Sequence, residues 1–187
     1  ESRFAAISKL TRVRVEDFAR ALDPAAARAV IESLPDQLAA RSLREAIARV
    51  AASHRAGRPV VVMLGGHVIK VGVPPCLIAL MERGVVTHLA MNGAAAIHDV
   101  EIARQGRTSE DVEEQLHAGR FGMVDETGDY MNRAMVEGRA RGEGLGEAWG
   151  RALCEERPAH LGASLLASAW RLGIPATVHV AIGTDTI

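Results

Sequence analysis

Apolar residues recur at helical spacing along most of the chain, and the pattern changes between Arg58 and Ile102. Pro59 to Leu64 is a short, continuous apolar run, rich in valine, with Gly57 before it and Gly65-Gly66 after it. A run of this kind between glycines predicts a strand buried on both faces, as a parallel sheet requires. Val73 to Arg83 predicts a helix, with Pro74 and Pro75 in its first turn and Gly84 at its C-terminal end. A second strand-like run, Thr87 to Met91, ends at Asn92-Gly93, and helical spacing resumes from Ala94 to Arg104. The alternation of strand, glycine turn and helix predicts a doubly wound α/β layout, whose ligands bind at the carboxyl ends of the strands.

The flanking segments are mainly helical. Val15 to Ala21 predicts one or two helical turns. Asp23-Pro24 marks a helix start, with Asp as N-cap and Pro at the first helical position. That helix runs to about Leu34 and breaks at Pro35-Asp36. Arg41 to Arg55 carries Leu43, Ile47, Val50 and Ala51 on one face, an amphipathic helix expected to pack against the sheet. Beyond Gly106, Thr108-Ser109 with Glu110-Asp111 resembles a capping start. It leads to a short helix over Asp111 to Leu116 and a loop from His117 to Gly122. Glu126 to Arg139, Glu147 to Glu155 and Ser164 to Leu172 predict three further helices. Thr177 to Ile182 predicts a third strand, closed by Gly183-Thr184-Asp185. The expected organisation is one domain, residues 1–187. It has a helical region over 1–57 and an α/β part over 58–187 that is expected to continue beyond Ile187.

Composition narrows the classes. The chain has 187 residues, of which 48% are hydrophobic but only 3% aromatic, so Ala, Val, Leu and Ile must build the core. A net charge of −1 supplies no electrostatic reason for nucleic acid or an anionic membrane as partner. No apolar run approaches the roughly 20 residues needed to span a bilayer. Cys76 and Cys154 stand far apart in predicted helices, which fits neither a metal knuckle nor a disulfide framework and points to a reducing, cytoplasmic setting.

Candidate chemistry collects at three strand ends: Gly65-Gly66-His67, Asn92-Gly93-Ala94 and Gly183-Thr184-Asp185. Glycine there admits a ligand to the backbone, and a following helix start offers N–H groups to phosphate. Turning the chain between strand and helix is the plainer use of the same glycines, and the G-x-G-x-x-G fingerprint is absent. Lysine occurs only at Lys9 and Lys70. His67 and Lys70, in the turn after the first strand, suit a phosphate or carboxylate, or else a solvated loop. Asp185 suits ribose hydroxyls or a substrate amine. His98, Asp99 and Glu101 form the densest polar cluster. On a helix, His98 and Glu101 share one face while Asp99 points about a quarter-turn away. They are candidates for a general base or ribose ligand, set against an acidic, solvated helix start. They supply two ligands at most, so no metal site is expected. His179 reads as a core histidine in mid-strand, and Cys76 as a small core residue.

At these residues the chain resembles the deoxyhypusine synthase family, most of all its bacterial synthase-like members. The carrying pieces are LGGHVIKVG at 64–72, LIALMERGVVTHLAMNGAA at 77–95, IHDVEIA at 97–103 and LGIPATVHVAIGTD at 172–185. Asn92-Gly93-Ala94 and Gly183-Thr184-Asp185 resemble two strand ends that line the family's NAD pocket. The resemblance implies a Rossmann-like fold, NAD as cofactor, and a homotetramer with active sites at a subunit interface. It also implies oxidation of a polyamine by NAD and transfer of its aminobutyl group through an enzyme-lysine imine. Lys70 does not stand at the position of that lysine, and His98-Asp99 replaces the family's acidic pair.

The expectation is therefore a cytoplasmic NAD-dependent transferase or oxidoreductase that acts on a polyamine or another small amine through an imine. His98 or Asp99 would be the proton acceptor. Two other classes stay open: a nucleotide-binding regulatory or assembly protein without catalysis, and a hydrolase or lyase that uses His98, Asp99 and Glu101 without NAD.

Overall fold

A computed structural model describes residues 13–20, 23–108 and 125–181. After a single 3₁₀ turn at Val15–Asp17 come helices α1 (Pro24–Ser33) and α2 (Leu38–Arg55). The central part follows as strand β1 (Val61–Leu64), the short helix α3 (Gly66–Lys70), α4 (Pro74–Glu82), β2 (His88–Asn92) and α5 (Gly93–Gln105). The last part holds α6 (Asp125–Arg141), α7 (Leu145–Glu156), a 3₁₀ turn at Leu161–Ala163, α8 (Leu165–Leu172) and β3 (Ala176–His179). The predicted helix over Asp111 to Leu116, the loop from His117 to Gly122 and the turn at Gly183, Thr184 and Asp185 lie outside the described residues.

Local rules account for the element ends. Asp23 accepts a hydrogen bond from Ala25 N and caps α1, with Pro24 at the first helical position. Asn92 caps α5 and Ser164 caps α8 in the same way. Gly106 and Gly173 close α5 and α8 in the left-handed conformation that glycine adopts without strain.

The three strands are parallel, in the order β1-β2-β3, with Val61 beside His88 and Leu89 beside Ala176. This is a mixed α/β fold with a three-stranded parallel sheet flanked by helices. One face of the sheet carries Leu64, Leu89 and Met91, all buried beneath the helical layer. Val100, Ile102, Leu153, Leu165 and Leu166 complete that core, each at 1% exposure or less. The low aromatic content is visible here: Trp149 is the only aromatic side chain among the described residues that is fully part of the core, and its indole N–H donates to Met131 O.

The other face is open, which corrects the expectation of a strand buried on both sides. Val61 is 53% exposed and Met63 81%. Strand order explains it. Right-handed crossovers that step steadily from β1 to β2 to β3 set every connecting helix on the same side. A reversal of strand order, which would send helices to the second face, does not occur among the described residues. Two further expectations change. Neither α1 nor α2 contains a buried residue, so the N-terminal helices do not pack against the sheet as predicted. His179 is the last residue of β3 and exposed, not a core histidine; its Nε2 lies 2.9 Å from Thr177 Oγ1.

The helical layer approaches the sheet closely at one glycine. Gly146, in the first turn of α7, faces the backbone carbonyl of Ala176 in β3 so nearly that a Cβ would overlap it. Because the obstacle is backbone, it cannot rotate away. Gly146→Ala is expected to destabilise the fold by about 2 kcal/mol, through overpacking that pushes α7 off β3. Urea unfolding measures this, and a change within about 0.5 kcal/mol (the usual scatter of surface substitutions) would contradict the close approach.

Candidate functional site

The carboxyl ends of β1 and β2 lie side by side. Leu64 leads through Gly65 into α3, and Asn92 leads directly into α5. The two turns touch. A Cβ on Gly65 would stand 3.4 Å from Asn92 Nδ2, and one on Gly66 would stand 3.2 Å from His98 Cδ2 and 3.3 Å from Ala94 Cβ. Glycine at these positions therefore lets α3 settle against α5 and brings backbone, without a side chain, to the edge of the His98 ring.

His98 and Glu101 share one face of α5, as their spacing predicts. His98 Nδ1 is 3.1 Å from Glu101 Oε2, with the imidazole 23% exposed and the carboxylate 3%. A buried carboxylate beside Nδ1 orients the ring, and in the neutral imidazole with its proton on Nδ1 it leaves Nε2 as the acceptor. The Cδ2 edge of the ring, next to Nε2, is the edge that lies against Gly66. The pair thus sets an imidazole in a fixed orientation beside the adjoining strand ends.

Asp99 does not join it. The quarter-turn offset turns this side chain into the helical layer, where it is 1% exposed. Its Oδ2 accepts from Ser164 Oγ at 2.6 Å and Leu166 N at 3.1 Å, and its Oδ1 accepts from Leu165 N at 2.7 Å. Ser164 Oγ in turn accepts from Ala167 N. Asp99 and Ser164 together satisfy the first N–H groups of α8, which otherwise have no intrahelical partner. Burial pushes the Asp99 carboxyl up to about 6, against the downward pull of the three hydrogen bonds. The expected part in proton transfer is corrected to a structural one: both oxygens are committed to α8.

The remaining candidates divide by location. His67 and Lys70 sit on helix α3 rather than in a turn, His67 exposed and Lys70 half-buried. Asn92 Oδ1 accepts from Ala95 N at 2.9 Å, which caps α5. Gly93 is buried and Ala94 half-buried at the start of α5. Cys76 and Cys154 are free thiols, both half-buried. Burial raises the Cys154 pKa, and its thiol lies 3.5 Å from Ala167 O.

One charged cluster was not anticipated from the sequence. Arg151, 4% exposed in α7, donates from Nε to both oxygens of Glu143 at 2.9 Å and from Nη1 to Glu155 at 2.7 Å. Arg104 likewise reaches Glu156 through Nε and lies 4.1 Å over the Tyr130 ring. Only the i, i+4 spacing of Arg151 and Glu155 carried a signal, because Glu143 stands eight residues from Arg151 across a turn and Glu156 stands 52 from Arg104. These pairs join α5, α6 and α7 away from the strand ends.

Among the described residues, no group of three or more His, Cys, Asp or Glu side chains is placed to hold a metal ion. Within the same residues, no helix is long and apolar enough to cross a membrane. No protein-family model matches the chain, and no curated protein matches it.

Proposed function

We propose that this protein is a Rossmann-like, NAD-dependent enzyme that acts on a polyamine or other small amine through an imine, as its resemblance to deoxyhypusine synthase implies. The observation that carries the reading is the His98–Glu101 pair, a base held by a buried carboxylate at the adjoining ends of two parallel strands. Parallel α/β sheets bind ligands at that edge.

The donor set there suits a dinucleotide. Gly65 and Gly66 present backbone without side chains, and α5 opens on N–H groups of which Asn92 takes the one from Ala95. His67 and Lys70 on α3 add polar and positive groups on the same side of β1. Held there, NAD would supply the hydride acceptor for the carbon that bears the amine. The protein's part is to take the accompanying proton: His98 Nε2 receives it from the amine nitrogen, and Glu101 stabilises the imidazolium that forms. The substrate thereby loses a hydride and a proton and becomes an imine. The same resemblance carries a tetrameric assembly, and the two free thiols accord with a cytoplasmic setting.

Calorimetric titration with NAD, followed by a screen of amines for NADH formation, tests the reading. Binding near micromolar, about −8 kcal/mol, together with amine-dependent NADH formation is expected. Binding without turnover of any amine would favour a regulatory or assembly role. Absence of NAD binding by the folded protein would remove the cofactor and leave a hydrolase or lyase using His98 and Glu101.

A further inference from the structure

We propose that the cleft between the start of α7 and the end of α8 is a binding site for an organic cation, an alkylammonium group held between the Trp170 indole and the Glu147 carboxylate. The cleft measures about 430 Å³ and lies at the amino end of β3, with Gly144, Gly146, Glu147, Trp170, Gly173 and Thr177 among its walls. That volume falls within the range of small-molecule sites. Asn92 ends β2 at the opposite edge of the parallel sheet, so the cleft is separate from the strand ends of the catalytic reading.

Glycines along α7 build it. Gly146 lets the helix approach Ala176, and one turn further on Gly150 admits α8. A Cβ on Gly150 would stand 2.6 Å from Leu166 O and 3.0 Å from Trp170 Cβ. Trp170 therefore branches from α8 directly against α7, beside the helix face that carries Glu147 three residues before Gly150. Trp170 is 43% exposed, and it is the only exposed aromatic side chain among the described residues. Gly144 leaves the mouth open. Neither its φ of −77° nor its packing requires glycine, since a Cβ there would meet nothing within 4 Å.

The walls select positive charge. Glu147 is the only charged residue that lines the cleft, and among the described residues its carboxylate has no ion-pair or hydrogen-bond partner. The end of α8 at Gly173 brings the negative pole of that helix to the same place. The start of α7 opposes it with a positive pole, which Glu147 in the first turn offsets. Arg171, the basic side chain of the last turn of α8, is not part of the lining and donates from Nη2 to Ser168 Oγ at 3.2 Å. The indole adds an attraction specific to cations, strongest for tryptophan and well matched to alkylammonium groups. An anion would meet the Glu147 charge with no basic side chain to offset it, and an uncharged ligand would leave that carboxylate unused.

Titration of the isotope-labelled full chain, followed by NMR, tests the site. Tetramethylammonium is expected to shift the Trp170 indole N–H and the amides of Gly144, Gly146 and Glu147, with saturation in the millimolar range. The uncharged tert-butanol, close to it in shape, is expected to leave them in place. Glu147→Gln and Trp170→Leu are each expected to weaken binding about three- to fivefold. Both side chains are exposed, so both variants are expected to fold, and the same spectra report it. Nα-acetyl-lysine amide identifies the source of the cation. Tighter binding than tetramethylammonium assigns the site to a basic peptide side chain, and weaker binding assigns it to a small quaternary ammonium. Equal shifts with tert-butanol, no shift at about 100 mM tetramethylammonium, or binding unchanged in both folded variants would each overturn the proposal. None of these readouts involves NAD or turnover, so this site and the catalytic reading fail separately.

Discussion

Replacing Asp99 with alanine is expected to lower the unfolding free energy by about 3–5 kcal/mol. The loss follows from what the carboxylate serves: the Ser164 hydroxyl and the N–H groups of Leu165 and Leu166 all donate to it in a buried setting. Each donor left without a partner away from water costs about 1–3 kcal/mol. The pH dependence gives an independent check. The folded carboxyl keeps its proton up to about pH 6, against an ordinary value of 3.8. Between those values the folded state binds more protons than the unfolded state, so this group makes stability fall as pH rises through the window. The fall amounts to about 3 kcal/mol. Asp99→Asn keeps the shape and removes the titration. Urea unfolding from pH 4 to 7 is expected to show a steeper decline in the native protein than in Asp99→Asn. Identical slopes would mean that burial does not hold the carboxyl protonated.

His98→Ala is expected to reduce turnover of the amine substrate by about 10²–10⁴-fold, the usual contribution of a positioned general base. The fold should survive, because His98 is partly exposed and its hydrogen bond is to its own helix neighbour Glu101. Glu101→Gln is expected to act more mildly on rate, about tenfold, since the amide still contacts Nδ1 but no longer stabilises imidazolium. The informative comparison is the split between the two constants: kcat should fall with KM little changed in both variants. Equal turnover in His98→Ala and the native protein would remove the base and, with it, the proton-transfer part of the proposed reaction. Thermal melts recorded beside the kinetics separate that outcome from unfolding.

How far the molecule is legible in its sequence differs by element. Asp23-Pro24, Pro74-Pro75 and Asn92-Gly93 mark helix starts that the structure reproduces, because capping is settled within four residues. The face shared by His98 and Glu101 follows from helical pitch alone. Asp99 is legible as a polar residue on that helix but not as the cap of α8, since its partners Ser164, Leu165 and Leu166 are some 65 positions away. The Arg151–Glu143 pair is hidden for another reason: it spans eight residues across the turn between α6 and α7, which is not a helical spacing. The burial of β1 cannot be read in advance, because a valine-rich run is the same string whether one face or both are covered.

By itself the sequence determined the order of the three strands and most of the helices, the capped ends, the aliphatic character of the core and the helix face shared by His98 and Glu101. These depend on neighbours within about one helical turn, where geometry is local. The tertiary structure alone decided which sheet face is covered, where Asp99 points, why Gly146 admits no side chain, and that α2 stands clear of its own sheet. Apart from α2, which only residues 56–60 separate from β1, each of these is a meeting of segments far apart in the chain, set by strand order and packing, and a one-dimensional pattern carries no distance between such segments.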